Sequence, residues 1–227
     1  MEKTGRNIIM YYNLIVDEFK KHGNMQKAVD MAAYMRNKFG FYGIQTPNRR
    51  KITTPIFKEM IKSKSVDWDF IDHCWRDSHR ELQYTAIGYL SRLQKYLTLE
   101  DITKIKNLAI SKPWWDTVDS LAGIIGNIVY RYKAAKMIML KWSVDECIWL
   151  RRIAIIHQLQ YKEKTDKELM EKIICNNLGS NEFFIDKAIG WCLRDYSKTN
   201  SAWVASFLEK YRSYLSKLSI REGSKYI

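Results

Sequence analysis

The sequence predicts an all-α protein, a curved α-solenoid of stacked antiparallel helix pairs. Three observations lead there. Only 10 Gly and 3 Pro occur in 227 residues, while 46% of the chain is hydrophobic, so a sizeable core built from helices with short connections is expected. Apolar residues recur at helical spacing in one segment after another. Ala-Ile pairs recur mid-helix at 86–87, 154–155 and 188–189, separations of 68 and 34 residues, and the missing unit falls near Leu121-Ala122-Gly123. Such a period belongs to helix-pair repeats. The Trp, Gly-Tyr and Pro marks of TPR units are not found, so the repeats are expected to be HEAT-like. The whole chain, 1–227, is expected to form a single domain.

In chain order the periodic segments fall at about 7–21, 25–38, 48–62, 68–77, 80–96 and 99–111, then 114–130, 132–141, 145–161, 166–178, 181–197 and 200–215. Thr98 with Glu100 and Asp101 marks the start of the sixth, Asp145 the ninth, and Asn181 with Glu182 the eleventh. Pro113 is tolerated only within a helix's first turn, which sets the start of the seventh.

Lys and Arg outnumber Asp and Glu by 38 to 25, a formal charge of +13. That balance favours nucleic acid or another polyanion as partner, although a basic protein with no such partner would show it too. Basic residues precede each Ala-Ile: Arg80, then Arg151 and Arg152, then Lys187. On equivalent helices of a stack they would form a concave basic face able to hold a duplex by its phosphates; the alternative is that they solvate outer faces. Cys74, Cys147, Cys175 and Cys192 are scattered without a C-x-x-C pair, and His22, His73, His79 and His157 are dispersed. Neither a zinc site nor a disulfide framework is indicated, and buried free thiols are expected. Asn7-Ile8-Ile9-Met10 is too short for a leader, and no run approaches a membrane span. A cytoplasmic protein is expected.

The most unusual stretch is Ser111-Lys112-Pro113-Trp114-Trp115-Asp116-Thr117-Val118-Asp119. Projected at about 100° per residue, Val118, Leu121, Ile125, Ile128 and Val129 form a core face. Trp115, Asp119, Ala122 and Gly126 form a second stripe at its border, which reads as a shallow cleft; Asp116, Thr117, Ser120 and Asn127 face away. Both acids also suit a helix N-terminus, with Asp116 the better cap candidate, and both tryptophans suit a core. In the segment 184–194 the core face is Ile185, Ile189 and Cys192, continuing to Tyr196. Trp191 lies off it, packed on a neighbouring repeat or presented to a ligand.

At Trp114-Trp115-Asp116-Thr117-Val118-Asp119 the chain resembles the AlkD family of DNA alkylation-repair glycosylases. Further segments agree in family order: Met31-Ala32-Ala33-Tyr34-Met35, Phe41-Tyr42-Gly43-Ile44-Gln45-Thr46-Pro47 with Arg49-Arg50, Trp149-Leu150-Arg151-Arg152 with Ala154, and Ala188-Ile189-Gly190-Trp191 with Leu193-Arg194 and Tyr196-Ser197-Lys198-Thr199-Asn200. Ser201 departs from the family's usual proline. The resemblance implies HEAT-like repeats gripping duplex DNA, with removal of cationic N3- and N7-alkylated purines and no cofactor or metal. It makes Asp119 the catalytic carboxylate, sets Trp115 and Trp191 against the lesion's sugar, places Arg152 on the DNA backbone, and brings Tyr34 and Gln45 near the bound DNA. No lysine aligns with the Trp115–Asp119 stripe, although Lys187 and Lys198 lie near Trp191 in sequence, so a monofunctional enzyme that leaves an abasic site is expected, a monomer that is nucleoid-associated when on DNA. A non-catalytic nucleic-acid-binding module and a protein scaffold are the rival readings.

Overall fold

Helix boundaries follow the chain's own punctuation. The structure, a computed structural model, describes residues 2–227, with side chains described from Met10 onward; Met1 lies outside the described residues. Among the described residues there are thirteen α-helices and no strand. They are α1 (Glu2–His22), α2 (Met25–Tyr34), α3 (Thr46–Met60), α4 (Trp68–Arg76), α5 (Arg80–Leu93), α6 (Asp101–Ser111), α7 (Trp115–Arg131), α8 (Ala135–Trp142), α9 (Ile148–Ile156), α10 (Lys167–Cys175), α11 (Phe183–Ser197), α12 (Ser201–Lys210) and α13 (Lys217–Gly223). The first twelve overlap the periodic segments. Helix α13 has only 7 residues, two turns that carry no readable stripe. Its local mark is the cap: the Ser216 hydroxyl accepts the Ser219 N–H at 3.0 Å.

The expected caps resolve differently from their sequence reading. Asp101 reaches back to accept the Thr98 N–H at 2.8 Å, so the acid rather than the threonine does the capping. Asp145 accepts the Cys147 N–H at 2.9 Å from outside the helix. The Ser180 hydroxyl, not Asn181, accepts the Glu182 N–H at 3.3 Å. Helix α9 stops at Ile156, five residues before its expected end at 161. Beyond it Gln160 and Lys162 take positive φ of 68° and 55°, which no helix continues.

The contacts divide the chain into two units, one running to Leu97 and one spanning Thr98–Ile227. In the first, α1 packs on α3 and α4, and α5 on α3 and α4. Ile15, Phe19, Phe57, Phe70, Leu82, Tyr89 and Leu90 fill its core. In the second, α9 lies against both α7 and α11, α13 against α11, while α6 and α8 cover α7 and α9. The Ala-Ile repeat is a packing device: Ala86, Ala154 and Ala188 are all buried, as is Ala122 of the intermediate unit. A methyl group at the centre of each helix lets its neighbour approach closely. Of the thiols, Cys74 and Cys192 are buried as expected, whereas Cys147 and Cys175 are half-buried; all four are free.

Two glycines of α7 make opposite predictions. A Cβ on Gly126 would run into the carbonyl oxygen of His157, whereas one on Gly123 meets nothing within 4 Å. Gly126→Ala should therefore destabilise by more than about 2 kcal/mol through overpacking. Gly123→Ala should stabilise by about 0.5–1 kcal/mol through helix propensity. Urea midpoints of the two variants check both signs.

His157 makes the fold sensitive to acid. It is buried, its Nδ1 donates to the Ala154 carbonyl at 2.6 Å, and its Nε2 has no partner. Burial pushes its pKa down from 6.5 to about 4. Between those values the unfolded chain takes up a proton that the folded chain refuses. The contribution is whole above pH 6.5 and lost as pH falls towards 4, up to about 3 kcal/mol. Unfolding free energies at pH 7 and 4.5 should drop less in His157→Leu than in wild type by about that amount; equal drops would contradict it.

Candidate active site

The start of α7 is set by its flanks. Lys112 ends α6 with φ −133° and ψ 60°, outside the α region that a following proline disfavours. Pro113 stays outside the helix, and Trp114 is the N-cap residue in extended geometry, φ −159° and ψ 158°. Asp116 is not the N-cap residue: it lies inside the first turn, where the helix dipole favours its charge. Trp114 is buried, its ring 5.2 Å from Phe184 and 5.8 Å from Trp149. Phe184 and Trp149 are themselves 4.9 Å apart. This three-ring cluster ties the start of α7 to α9 and α11.

One turn in, Asp119 meets α9. Arg152 Nε donates to Asp119 Oδ1 at 2.7 Å and Nη2 to Oδ2 at 2.8 Å. The remaining Nη1 donates to the Phe184 carbonyl at 2.5 Å. The Arg152 side chain is 4% exposed and that of Asp119 is 16% exposed. Arg152 is thus used on both edges of its guanidinium, whereas Asp119 keeps an opening to solvent. A carboxylate has about four lone-pair sites, of which the two Arg152 bonds take two. Burial pushes the Asp119 carboxyl above the ordinary aspartate value; the Arg152 guanidinium works against that rise, and the charge of Asp116 adds to it.

The structure therefore brings together Asp119 and Arg152, with half-buried Trp115 one turn before Asp119 on the same face. Trp191 is also half-buried. It lies seven residues beyond Phe184, nearly in line with it along α11 and about 10 Å on. Tyr34 ends α2 and is 71% exposed. Gln45 is the exposed residue preceding α3. Both belong to the first unit.

Three expectations need correction. Ala122 and Gly126 do not continue a cleft from Asp119; both are buried. They are small because α9 and the His157 carbonyl lie against them. Thr117 does not face away: it is buried, and its hydroxyl donates to the Trp114 carbonyl at 3.3 Å. The cations before the Ala-Ile pairs are each engaged within the protein. Arg80 is fully buried with its guanidinium 3.8 Å from the centre of the Phe39 ring, and Arg152 is turned onto Asp119. Arg151 reaches Ser180 at 3.3 Å, and Lys187 pairs with Glu222 at 3.1 Å.

Glu222 itself escapes sequence reading because α13 does. Its carboxylate also takes Arg194 at 2.8 Å and Lys225 at 3.1 Å. Lys187 and Arg194 lie on either side of Trp191 in α11, so α13 braces the helix that carries Trp191. Gly190 allows the approach, since a Cβ there would press on Glu222 Cβ at 2.6 Å. Among the described residues no group of three or more His, Cys, Asp or Glu is placed to hold a metal ion, and no helix is long and apolar enough to cross a membrane.

Residues 15–227 match the family model described as DNA alkylation repair enzyme. A structure described as a predicted DNA alkylation repair enzyme from Enterococcus faecalis is 35% identical, covers 90% of this chain and 96% of its own, and superposes with a TM-score of 0.82. Two Streptococcus mutans structures share the helical fold at lower identity. The protein smu.31 of strain UA159 is 16% identical, with TM-score 0.57 over 79% of this chain and 99% of its own. AlkD2 is 20% identical, with TM-score 0.56 over 75% of this chain and 90% of its own. No curated protein matches.

Proposed function

We propose, from the premise that this chain belongs to the family of DNA alkylation repair enzymes, that it is a monofunctional DNA glycosylase. Its substrates would be cationic alkylated purines of the N3-methyladenine and N7-methylguanine class in duplex DNA. The observation that carries this reading is a half-buried carboxylate, Asp119, fixed by a bidentate arginine yet open to solvent. The formal charge of +13 supports a polyanionic substrate.

The chemistry asks for little beyond such a group. An N-alkylated purine already carries positive charge and leaves without protonation. The barrier lies in the oxocarbenium character that develops on the deoxyribose. A fixed carboxylate stabilises that cation, and its remaining lone pairs orient and deprotonate the attacking water. Its raised basicity assists the second role. Trp115 and Trp191 supply aromatic faces to the electron-poor sugar and base and exclude water, which strengthens the carboxylate's field. Arg152 acts here as a positioning residue: with its guanidinium occupied by Asp119 and the Phe184 carbonyl, it holds both carboxylate oxygens in place. Tyr34 and Gln45 are assigned to duplex contact. An imine-forming lyase step would need a free amine, and Lys187, the lysine nearest Trp191 in sequence, is engaged by Glu222.

A second reading has its own observation. Lys187–Glu222 is a tie between two packed helices, α11 and α13, with no reaction to perform, and Asp119–Arg152 could be another in a DNA-binding module. Incubation with N7-methylguanine duplex separates them. The glycosylase releases free methylated base and leaves a strand that breaks only after alkali. A module that binds the duplex and releases nothing would overturn the enzymatic reading.

A further inference from the structure

We propose that Glu81 is a positioning residue that holds α2 and Gln45 as one preformed duplex-contacting element; this rests on the assignment of Tyr34 and Gln45 to DNA. Glu81 is fully buried in the first turn of α5. Its carboxylate accepts three consecutive backbone N–H groups of the loop between α2 and α3. Oε2 takes Tyr42 at 3.1 Å, and Oε1 takes Gly43 at 2.9 Å and Ile44 at 3.1 Å. Charge-assisted bonds of this kind are the strong ones, and a buried N–H left without one carries a penalty. The next residue in the chain is Gln45.

The loop carries α2 as well. The Asn24 N–H donates to the Tyr42 carbonyl at 2.8 Å. Gly43 has φ +84°, and a Cβ there would collide with the Asn24 carbonyl. On the other side His79 stacks on Tyr42 at 3.8 Å between ring centres, and the Arg80 N–H donates to the Gly40 carbonyl at 2.8 Å. Loop 40–44 is therefore bonded from below by α5 and from above by the start of α2.

What that mounting presents is unusual. No residue of α2 is buried, although most of it is apolar; Met25, Val29 and Tyr34 are 82%, 56% and 71% exposed. A helix with no buried face gains little from packing and is held by its ends. Residues 24–51 carry Lys27, Arg36, Lys38, Arg49, Arg50 and Lys51 against one acid, Asp30. An exposed apolar helix in such a cationic segment suits a duplex, with phosphates taken by the cations and the apolar side chains against sugars and base edges. Rigid mounting lowers the ordering penalty of binding.

Glu81→Gln tests the inference, because its amide cannot accept all three N–H groups. The duplex dissociation constant should rise about tenfold through lost preorganisation, while single-turnover excision at saturating enzyme stays within about twofold. A purely structural role would instead lower Tm without this split. Hydrogen exchange on the wild-type protein covers the case in which the variant does not fold. The amides of 42–44 should exchange slowly before DNA is added, and those of α2 should slow further with duplex. Equal affinity in a folded Glu81→Gln protein, fast exchange at 42–44, or an α2 unchanged by duplex overturns the inference while leaving wild-type excision, and hence the glycosylase reading, intact. A wild-type protein that neither binds nor excises overturns both.

Discussion

Asp119→Asn should leave the protein folded and able to bind duplex while lowering single-turnover base release by about 100- to 1,000-fold. The substitution removes a negative charge from beside the developing sugar cation and keeps the shape of the side chain. Its amide oxygen can still accept from Arg152, so the tie between α7 and α9 is weakened rather than lost. Removing an acid from a surface that meets a polyanion should also leave affinity for undamaged duplex equal or slightly tighter. The combination of lower rate with unimpaired binding is what a purely structural ion pair would not produce. The pH profile carries the same signature. The acid limb of wild-type excision should lie above the ordinary aspartate range, because burial raises the Asp119 carboxyl; the residual activity of the Asn variant should lack that limb.

Arg152→Met should be the most destabilising change at the site. It removes one partner of a pair in which Arg152 is 4% exposed and Asp119 16% exposed, and leaves a half-buried carboxylate with no cation. Losing one side of such a pair typically costs about 3–5 kcal/mol. The fold-independent readout is again pH. Without the guanidinium, burial acts unopposed on Asp119, so the acid limb of excision should move upward. A third measurement decides between two roles for Arg152. As a residue turned onto Asp119, its loss should leave the salt dependence of duplex binding unchanged. As a phosphate contact, its loss should reduce the slope of log K against log salt by about one. Arg152→Lys should fall between wild type and Met, since lysine cannot make the bidentate contact.

The helices were readable because periodicity is local, and α13 escaped because seven residues offer two turns. The stripe of Trp115 and Asp119 was readable from one helix alone, since residues four apart share a face. Its continuation through Ala122 and Gly126 was misread for the same reason. A small residue at a helix border looks identical in sequence whether it opens a cleft or admits a neighbour, and here α9 fills the space. Arg152 could be singled out by resemblance, but its partner could not: the bond spans 33 residues and depends on how α9 seats on α7. Arg80 and Lys187 show the general limit. Composition gives the sign of a surface, whereas long side chains beside a core face turn inward when an acid, a carbonyl or an aromatic ring waits there. Glu81 lies beyond local reading altogether, because its partners are backbone groups 37 to 39 residues away.

The role proposed for Asp119 is that of a catalytic carboxylate rather than one more tie between helices. Its most direct test is the release of free 7-methylguanine from a methylated duplex, followed under single-turnover conditions with wild type and Asp119→Asn at enzyme concentrations that saturate both. Free base and an alkali-labile abasic strand are expected with wild type, and a rate about 100-fold or more lower with the variant. Equal release by the two proteins would contradict it.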